Sequence, residues 1–269
     1  MYEGRGGALL IDPAPTVQSD ENGEAFLGLW DDLDVVSGNH VVVTDGMVTH
    51  ELTIEAVTYD LLDLTDGSLT GTAPEPYGRT VSLGLGFPLY DWGTEVASDG
   101  EGRWAAAYGG PIPMDLHTAY AQVFDEDGDV SEVRPARIEA EVGIDIRPWS
   151  GTNLVWCRAT WDLLPVAVLS EDGFDATAID HDTVRFGRTG VEAAVASLAG
   201  RPLRYARDVN ADGLADMVYT FRFGDTGFSC ADIPLGQRTV RVEATLTAWM
   251  GDIYLEGTDT LTLIRVLGH

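Results

Sequence analysis

The chain has 269 residues, of which 45% are hydrophobic, so it is long enough to bury the cores of two domains. Its formal net charge is −28 at pH 7, and all 16 of its basic residues are Arg. A surface this acidic repels nucleic acid and anionic membranes, which excludes both as partners. No apolar run approaches the ~18 residues of a membrane helix, so we expect no membrane insertion.

The charge is unevenly distributed along the chain. Residues 1–140 carry 26 acidic and 5 basic side chains, whereas residues 141–269 carry 18 and 11. The first region therefore has a net charge of −21 and the second a net charge of −7. This difference predicts two regions with different surfaces.

The first region contains an internal repeat. The segment Val17–Gly23 returns 79 residues later as Val96–Gly102, and each copy precedes an apolar run. A unit of about 80 residues with short alternating segments and frequent turns predicts a β-sandwich of immunoglobulin-like size. We expect a truncated module in residues 1–50, because the chain begins inside a repeat, and a complete module in residues 51–140.

Acidic, glycine-containing segments of the first region predict hairpin turns between strands. They are Asp20–Gly23, Asp99–Gly102 and Asp125–Asp129. The last of them has enough carboxylates to bind a second Ca²⁺, but it lacks the full ligand spacing of a calcium loop. We therefore favour a simple hairpin turn there.

These features resemble the Ig-like repeats of large bacterial secreted and surface proteins, over residues 13–139. In those repeats a turn D-x-x-G-x-W opens a strand, and an acidic D-x-D-G-D hairpin precedes the last strand. Asp99–Trp104 and Asp125–Asp129 match these two motifs. The resemblance implies a spacer or an adhesive stalk, with another surface protein as a candidate partner.

The second region, residues 141–269, has a different pattern and predicts a further all-β domain. Segments rich in β-branched and aromatic residues predict its strands: Pro165–Leu169, Thr183–Gly187, Val218–Phe223, Thr239–Thr247 and Thr258–Val266. We expect one or two helical turns in Val191–Leu198. The predicted fold class of the whole chain is all-β, with tandem Ig-like β-sandwich modules.

One segment of the second region has the pattern of a calcium-binding loop. Its oxygen-bearing side chains, at positions 1, 3, 5 and 9, are Asp208, Asn210, Asp212 and Asp216. Gly213 at position 6 allows the sharp turn, and the carbonyl of Leu214 at position 7 supplies a further oxygen. Hard cations bind six to eight oxygens, so the loop predicts bound Ca²⁺, with an ordinary polar Asp-Gly turn as the alternative.

The loop departs from the helix–loop–helix calcium motif. Position 12, which is a bidentate Glu in that motif, is Tyr219 here, and the flanking Met217–Phe223 alternates like a strand. The prediction is therefore a calcium loop between strands. Its last ligands would come from elsewhere in the protein or from water.

The second region resembles a module that is common in secreted bacterial proteins, over residues 144–266. The landmarks I-D-I-[KR]-P, P-V-A-I-L and D-V-N-G-D-G-x-x-D correspond to Ile144–Pro148, Pro165–Leu169 and Asp208–Asp216. A Trp-rich insert at Trp149–Trp161 departs from that pattern. The resemblance implies a non-catalytic secreted module with a calcium loop.

Two groups of side chains leave alternatives open. Cys157 and Cys230 either form a disulfide that closes a long loop, as in a secreted protein, or remain buried thiols. Trp149, Trp156 and Trp161 fall within 13 residues, and exposed Trp side chains stack on sugar rings or fill a partner's pocket. We favour core packing for them, because Trp is highly buried on average.

The chain lacks common enzyme motifs such as a G-x-S-x-G elbow, H-E-x-x-H or a Walker loop. Gly84-Leu-Gly86 lacks the third glycine of a dinucleotide fingerprint and predicts a closely packed strand. His181 lies between two Asp residues, but a solvated turn is favoured over a catalytic base. We therefore expect no enzyme activity.

These patterns predict a non-catalytic, calcium-binding module of a secreted or cell-surface protein, acting as a stalk or in adhesion. The alternative is a carbohydrate-binding accessory region of a secreted polysaccharide-degrading enzyme, with a glycan as partner. Both functions place the protein outside the cell. No signal peptide is present in this chain, so we expect one to precede it in the natural protein.

Overall fold

A computed structural model describes residues 36–265 except 45–46, 76–77, 126–127 and 129, together with Thr16. The chain forms two compact units. The first contains the described residues up to Asp60, with Leu69–Ala106 and His117–Ala136, and the second contains Leu61–Ser68, Ala107–Leu116 and the chain from Arg137 onward. The module boundaries expected at residues 50 and 140 stay predictions, and the repeat copy at Val17–Gly23 lies outside the described residues.

Most residues of the first nine strands belong to the first unit. Up to Val133 the strands are β1 (His40–Thr44), β2 (Thr49–Thr53), β3 (Thr58–Asp63), β4 (Ser68–Thr72), β5 (Thr80–Gly86), β6 (Asp91–Ala97), β7 (Arg103–Ala107), β8 (Thr118–Phe124) and β9 (Val130–Val133). One sheet has the order β6-β5-β8-β9, and β1 and β2 form a separate hairpin. In the other layer β4 lies between β3 and β7.

Alternating apolar side chains form the core of the first unit. In β8, Ala119, Ala121 and Val123 are buried, while the residues between them are half-buried. Side chains two residues apart share one face of a strand, so this period places all three towards the core. Tyr59 and Trp104 are also buried and meet edge to face, with ring centroids 5.3 Å apart.

Two glycines confirm that the Gly84-Leu-Gly86 strand packs closely. A Cβ on Gly84 would lie 2.2 Å from Cζ of Tyr120, and a Cβ on Gly86 would lie 2.4 Å from Cγ2 of Thr118. Both neighbours belong to β8, which pairs with β5. The side chains of Tyr120 and Thr118 therefore lie directly against the β5 main chain at these two positions.

The turns predicted in the first unit differ in what they connect. The carboxylate of Asp99 accepts hydrogen bonds from the main-chain N–H groups of Glu101 and Arg103, so a turn is present. It joins β6 to β7, which pair with different strands, so the expectation of a hairpin was wrong. The acidic segment at 125–129 does connect paired strands, β8 and β9. Three of its residues, at 126, 127 and 129, lie outside the described residues, and a second calcium site there stays untested.

The second unit contains twelve further strands. They are β10 (Ile138–Glu141), β11 (Ile144–Ile146), β12 (Leu154–Trp156), β13 (Leu163–Val168), β14 (Asp180–Gly187), β15 (Ala193–Ala194), β16 (Ser197–Leu198), β17 (Arg201–Pro202), β18 (Arg204–Arg207), β19 (Asp216–Arg222), β20 (Thr239–Met250) and β21 (Ile253–Ile264). Short 3-10 turns cover Ala176–Ala178, Phe223–Asp225 and Cys230–Asp232.

These strands form a β-sandwich. One sheet has the order β15-β14-β20-β21-β10, with β12 also paired to β21, and the other has the order β11-β13-β19-β18. Phe186 of β14 packs against Phe221 of β19, with ring centroids 5.1 Å apart. The N–H of Ile146 in β11 donates to the carboxylate of Asp259 in β21. Side chains from both sheets are fully buried where they meet, so the core lies between them.

Most strands predicted for this region are present. The structure confirms Pro165–Leu169 within and just after β13, Val218–Phe223 around β19, and Thr239–Thr247 within β20. The last strand begins at Ile253, earlier than the predicted Thr258. It does so because β20 and β21 form one long hairpin, paired along their whole length.

The helical turns predicted for Val191–Leu198 were wrong. This segment contains β15 and β16 instead. Ala193 pairs with Phe186 at the edge of the sheet, and its side chain is buried. Pairing with an existing strand and burial therefore override the local preference of an Ala-rich segment.

Cys157 and Cys230 form a disulfide, with Cα atoms 4.8 Å apart and a sequence separation of 73 residues. It links the end of β12 to the 3-10 turn that begins at Cys230. The guanidinium of Arg265 donates to the carbonyls of Cys230 and Ile233, which fixes the same turn to the end of β21. The alternative of two buried thiols is therefore not what the structure shows.

Candidate functional site

The predicted calcium loop is the connection between β18 and β19. The two strands pair up to Arg207 and Asp216, so the loop is the tip of a hairpin and is flanked by strands on both sides. Ala211 and Gly213 have φ angles of 65° and 92°. Left-handed backbone costs Gly little but strains Ala, and the pattern that this loop resembles has Gly at both positions.

The side chains at positions 1, 3 and 5 accept hydrogen bonds from the loop's own main chain. The pairs are Asp208 with the N–H of Ala211 (2.6 Å) and Gly213 (3.1 Å), Asn210 with that of Asp212 (3.1 Å), and Asp212 with that of Leu214 (2.8 Å). The side-chain amide of Asn210 also donates to the carboxylate of Asp212 over 2.8 Å. The loop conformation is thus held by the residues that were predicted as ligands.

Asp216, at position 9, is fully buried and holds the loop to the sandwich. One carboxylate oxygen accepts the N–H of Val209 and the other accepts the N–H of Ser170, each over 2.8 Å. The hydroxyl of Ser170 donates to the carbonyl of Ala215 over 2.8 Å. Sequence reasoning did not single out Ser170, because it is 46 residues from Asp216 and only the fold brings them together.

The donor chemistry of the loop suits a hard cation, since every predicted ligand atom is an oxygen. Asp208 and Asp212 are exposed at the hairpin tip, and a carboxylate oxygen that accepts one N–H retains a second lone pair. However, nowhere in the described part of the chain do three or more Asp, Glu, His or Cys side chains form a group that could hold a metal ion. Asp208, Asp212 and Asp216 are therefore not gathered into one such set, and the ligand set stays a prediction.

The three Trp side chains of the insert are on the surface, so the expectation of core packing was wrong. Trp149 is 56% exposed, Trp156 is 60% exposed and Trp161 is 78% exposed. The core of this unit is filled by Tyr, Phe and aliphatic side chains of the strands. Trp149 and Trp161 lie in turns between strands, and Trp156 is the last residue of β12, on the exposed face of that short strand. A large side chain at each of these positions can remain solvated.

Two of these Trp rings stack with Arg side chains. The guanidinium carbon of Arg207 lies 5.0 Å from the ring centroid of Trp149, and that of Arg222 lies 4.9 Å from the ring centroid of Trp161. Such cation–π contacts orient an exposed ring and contribute about 0.5–1 kcal/mol each at exposed sites. The rings are therefore held in place although they are not buried.

A groove of about 470 Å³ lies beside Trp156. Its lining includes Leu163, which is 53% exposed, and the charged side chains of Arg147 and Asp162. Apolar surface next to a few charged and hydrogen-bonding groups is what a small ligand or a sugar requires. The sequence did not indicate that Leu163 is exposed. It is the first residue of an apolar strand, and most of the residues that follow it are buried.

His181 is in strand β14 and is half-buried, so the expectation of a solvated turn was wrong. Its Nδ1 lies 2.7 Å from the hydroxyl of Tyr219, a buried residue of the opposite sheet. Burial lowers the pKa of His181, and Arg204 lowers it further against the opposing effect of Asp180 and Asp182. The imidazole is thus part of the packing between the two sheets.

No helix in the described part of the chain is long and apolar enough to span a membrane.

Comparisons with known proteins give no family. No protein-family model matches the chain, and no curated protein matches it. Solved structures do match. An adhesin described as Ca²⁺-stabilized, with which an Antarctic bacterium binds ice, aligns at 14% identity and a TM-score of 0.24 over 85% of this chain. The aligned part spans only 57% of that adhesin structure.

Two other solved structures are similar over most of this chain. A surface-located, SusE-like polysaccharide-binding protein of Bacteroides thetaiotaomicron aligns at 12% identity and a TM-score of 0.27, over 86% of this chain and 38% of that one. The FN1–FN3 domains of chicken CNTN1 align at 9% identity and a TM-score of 0.26, over 85% and 74%. At such TM-scores none of these matches supports an argument about function.

Proposed function

We propose that this chain is a non-catalytic, calcium-binding module of an extracellular or cell-surface protein, where it forms part of a stalk or an adhesion region. The observation that carries the proposal is the β18–β19 loop. It places Asp208, Asn210 and Asp212 at calcium-loop spacing on an exposed hairpin tip and anchors that tip through the buried Asp216. The disulfide supports the location, because disulfides persist mainly in oxidising compartments.

The ligands of the ion would be the side-chain oxygens of Asp208, Asn210, Asp212 and Asp216 and the carbonyl of Leu214. Bound Ca²⁺ would neutralise the carboxylates of the loop and cross-link its two ends. The chain's own contribution is to hold the loop closed through Asp216, Val209 and Ser170. The function of the ion in this proposal is mechanical, since it stiffens a β-sandwich unit that carries load or presents a binding surface.

Thermal unfolding with and without a chelator tests calcium binding. An ion that binds only the folded state at 100 times its Kd stabilises that state by about 2.7 kcal/mol, so EDTA should lower the Tm of the second unit. The variant Asp208→Ala/Asp212→Ala should lose most of this response. Because both side chains also hold the loop, the quantity to compare is the difference in Tm with and without EDTA.

Asp172→Ala/Asp252→Ala is the matched control, because it removes two exposed carboxylates of the same unit outside the loop. It should keep the full response to EDTA, and calorimetric titration with CaCl₂ should show one site in the control and none in the loop variant. Equal melting of the unmutated protein with and without EDTA would refute the calcium claim.

A second candidate function is carbohydrate binding, and the exposure of Trp149, Trp156 and Trp161 favours it. Exposed Trp rings beside hydrogen-bonding groups stack on the apolar faces of sugar rings. Trp161 is the most exposed of the three, and Arg222 orients it. In this version of the proposal the module would hold a polysaccharide, as an accessory region of a secreted enzyme or on a cell surface.

A glycan array followed by Trp fluorescence separates the two functions. A polysaccharide that binds the unmutated protein, quenches its fluorescence and fails to bind Trp161→Ala would support carbohydrate binding. Trp249→Ala is the control, because Trp249 is 42% exposed and lies outside the insert. Absence of binding across the array would leave the stalk, and turnover of any polysaccharide would contradict the non-catalytic proposal.

A further inference from the structure

Strand β20 is paired on both sides along only half of its length. Every residue from Thr239 to Met250 pairs with β21. On its other side β20 pairs with β14, but the partners there run only from Thr245 to Trp249. Among the residues that the structure describes, no strand pairs with the other edge of Thr239–Ala244.

The register of the sheet shows which main-chain groups point out from this edge. The N–H of Thr262 donates to Asn153, and the carbonyl of Ile264 accepts from Cys157, so these two residues of β21 point away from β20. In an antiparallel pair the direction alternates, so Leu261 and Leu263 point towards β20. Their partners Val242 and Val240 therefore point back to β21.

The N–H and C=O groups of the alternate residues therefore point out of the open edge. These residues are Thr239, Arg241 and Glu243. Such groups can pair with an additional strand, which is how β-strand addition gives main-chain affinity. The other edge strands of this sandwich are short: β11 has three residues, β15 has two and β18 has four. The open part of β20 is longer than any of them.

A groove of about 1260 Å³ begins at this edge and extends across β21 to residues 150–154 of the insert. Its lining includes Thr239, Arg241 and Glu243 of the edge and the half-buried side chains of Val240 and Val242. A strand that paired with this edge would therefore also gain a surface against which to pack its side chains.

The charge of the groove selects the occupant. It contains three carboxylates and one guanidinium: Asp145, Asp259, Glu243 and Arg241. Burial and the negative charge of Asp259 raise the pKa of Asp145, so the two carboxylates repel each other in an incompletely solvated place. A cationic side chain next to them relieves this repulsion. A second copy of this chain would add more negative charge, since the net charge of each copy is −28.

We propose that the open edge of β20 at Thr239–Glu243 accepts an extended segment of another protein as an added strand, and that this segment carries Lys or Arg next to Asp145 and Asp259. The groove shares residues 150–154 with the insert, but neither the calcium loop nor any of the three Trp side chains lines it. The proposal therefore stands or fails independently of the proposed function.

Short peptides test this proposal on the intact chain. The probe is a capped nine-residue peptide of alternating Val and Thr in which two Thr are replaced by Arg, and the comparison peptide carries Glu at those positions. We expect saturable binding of the Arg peptide, observed as chemical-shift changes in Thr239–Glu243, and no binding of the Glu peptide. If neither peptide binds, or the Glu peptide binds equally well, the proposal is overturned.

Substitutions at one residue separate main-chain pairing from charge. Arg241→Pro removes an N–H that points out of the edge and so disturbs the sheet little, because Pro is tolerated on edge strands with this orientation. It should weaken binding of the Arg peptide by roughly two- to tenfold, the effect of the one hydrogen bond that this N–H would donate. The control Arg241→Ala keeps the N–H and removes a like charge, so it should bind at least as well as the unmutated protein. Equal binding by the Pro and Ala variants would overturn strand addition.

N-methylation of the peptide gives the same answer without altering the protein. Methyl groups on the N–H groups that face β20 should abolish binding, whereas methyl groups on the alternate residues should leave it unchanged. If both methylated peptides bind equally well, strand addition is overturned. This test does not require Arg241→Pro to fold. The free protein could also self-associate in a way that Arg241→Pro abolishes. That result would overturn the proposal of a basic segment of another protein and show that a second copy occupies the edge.

Discussion

The two regions of this chain use their side chains for different purposes. Residues 1–140 hold 26 of the 44 acidic residues and only 5 of the 16 Arg. The strands of the first unit bury small and aliphatic residues together with Tyr59 and Trp104. Residues 141–269 hold the other 11 Arg, the disulfide, the predicted calcium loop and the three exposed Trp side chains of the insert. Candidate recognition features are therefore concentrated in the second region. We expect substitutions at these features to change the stability of the second unit and to leave that of the first unit unchanged.

The largest expected effect is removal of the disulfide. Cys157→Ser/Cys230→Ser releases a cross-link that closes a loop of 73 residues, which should destabilise the second unit by about 4 kcal/mol through the entropy of its unfolded chain. Hydrogen exchange read peptide by peptide should show loss of protection in β12–β21 and none in β5, β6, β8 and β9. Reduction of the unmutated protein should reproduce the effect. Equal loss in both regions would show that the two units do not unfold independently.

A close-packed glycine gives the corresponding test in the first unit. Gly84→Ala places a methyl group 2.2 Å from the Tyr120 ring, and overpacking of this kind costs about 1–3 kcal/mol. Gly100→Ala is the control, because a Cβ there has no heavy atom within 4 Å. Urea unfolding should show a lower midpoint for the first variant only. A stable Gly84→Ala variant would mean that Tyr120 can leave the β5 strand without cost.

A smaller effect, this time a gain in stability, is expected at the loop between β18 and β19. Ala211 has a left-handed φ of 65°, so Ala211→Gly removes strain and should stabilise the second unit by about 0.5–1 kcal/mol after the greater entropy of unfolded Gly is deducted. The variant should be measured in EDTA by urea unfolding, so that bound metal does not contribute. Ala231→Gly, in the 3-10 turn after Ser229, is the control and should not stabilise. A loss of stability in Ala211→Gly would show that the strain is absent.

The smallest effect concerns pH. The pKa of His181 is lowered in the folded protein, so above its unfolded value of about 6.5 the imidazole is neutral in both states and its contribution is fully present. As pH falls, the unfolded chain binds the proton first, and this contribution is lost as pH passes through the folded pKa. His181→Gln should therefore flatten the dependence of unfolding free energy on pH below 6.5.

The comparison is between the slopes of the two proteins, because carboxylates with lowered pKa values, such as that of Asp175, also remove stability at acid pH. Equal slopes for the variant and the unmutated protein would show that His181 titrates alike in the folded and unfolded states.

The sequence could predict much of the fold from local patterns. A short apolar run predicted β13, alternation predicted β19, and a segment rich in β-branched residues predicted β20. The Gly84-Leu-Gly86 segment predicted a closely packed strand, and the structure confirms it. The prediction of helical turns in Val191–Leu198 was wrong because a non-local contact, the pairing of β15 with β14, decides the structure there.

The candidate site shows the same division. Spacing alone identified the Asp208–Asp216 segment as a loop between strands, because ligand oxygens and a turn glycine recur at fixed positions. It could not predict that Asp216 would be buried against Ser170, which lies 46 residues away. Nor could it predict the exposure of Trp149, Trp156 and Trp161, because the average burial of Trp does not tell which turn or which face of a strand a given Trp occupies.

By itself, the sequence determined an acidic, all-β protein with a hairpin loop of calcium-loop spacing, since charge, alternation and spacing are local properties of the chain. Only the tertiary structure decided that Cys157 and Cys230 are bonded, that His181 packs on Tyr219, and that half of β20 has an open edge. Each of these depends on residues far apart in the chain, and their meeting is fixed by how the sheets pair and stack.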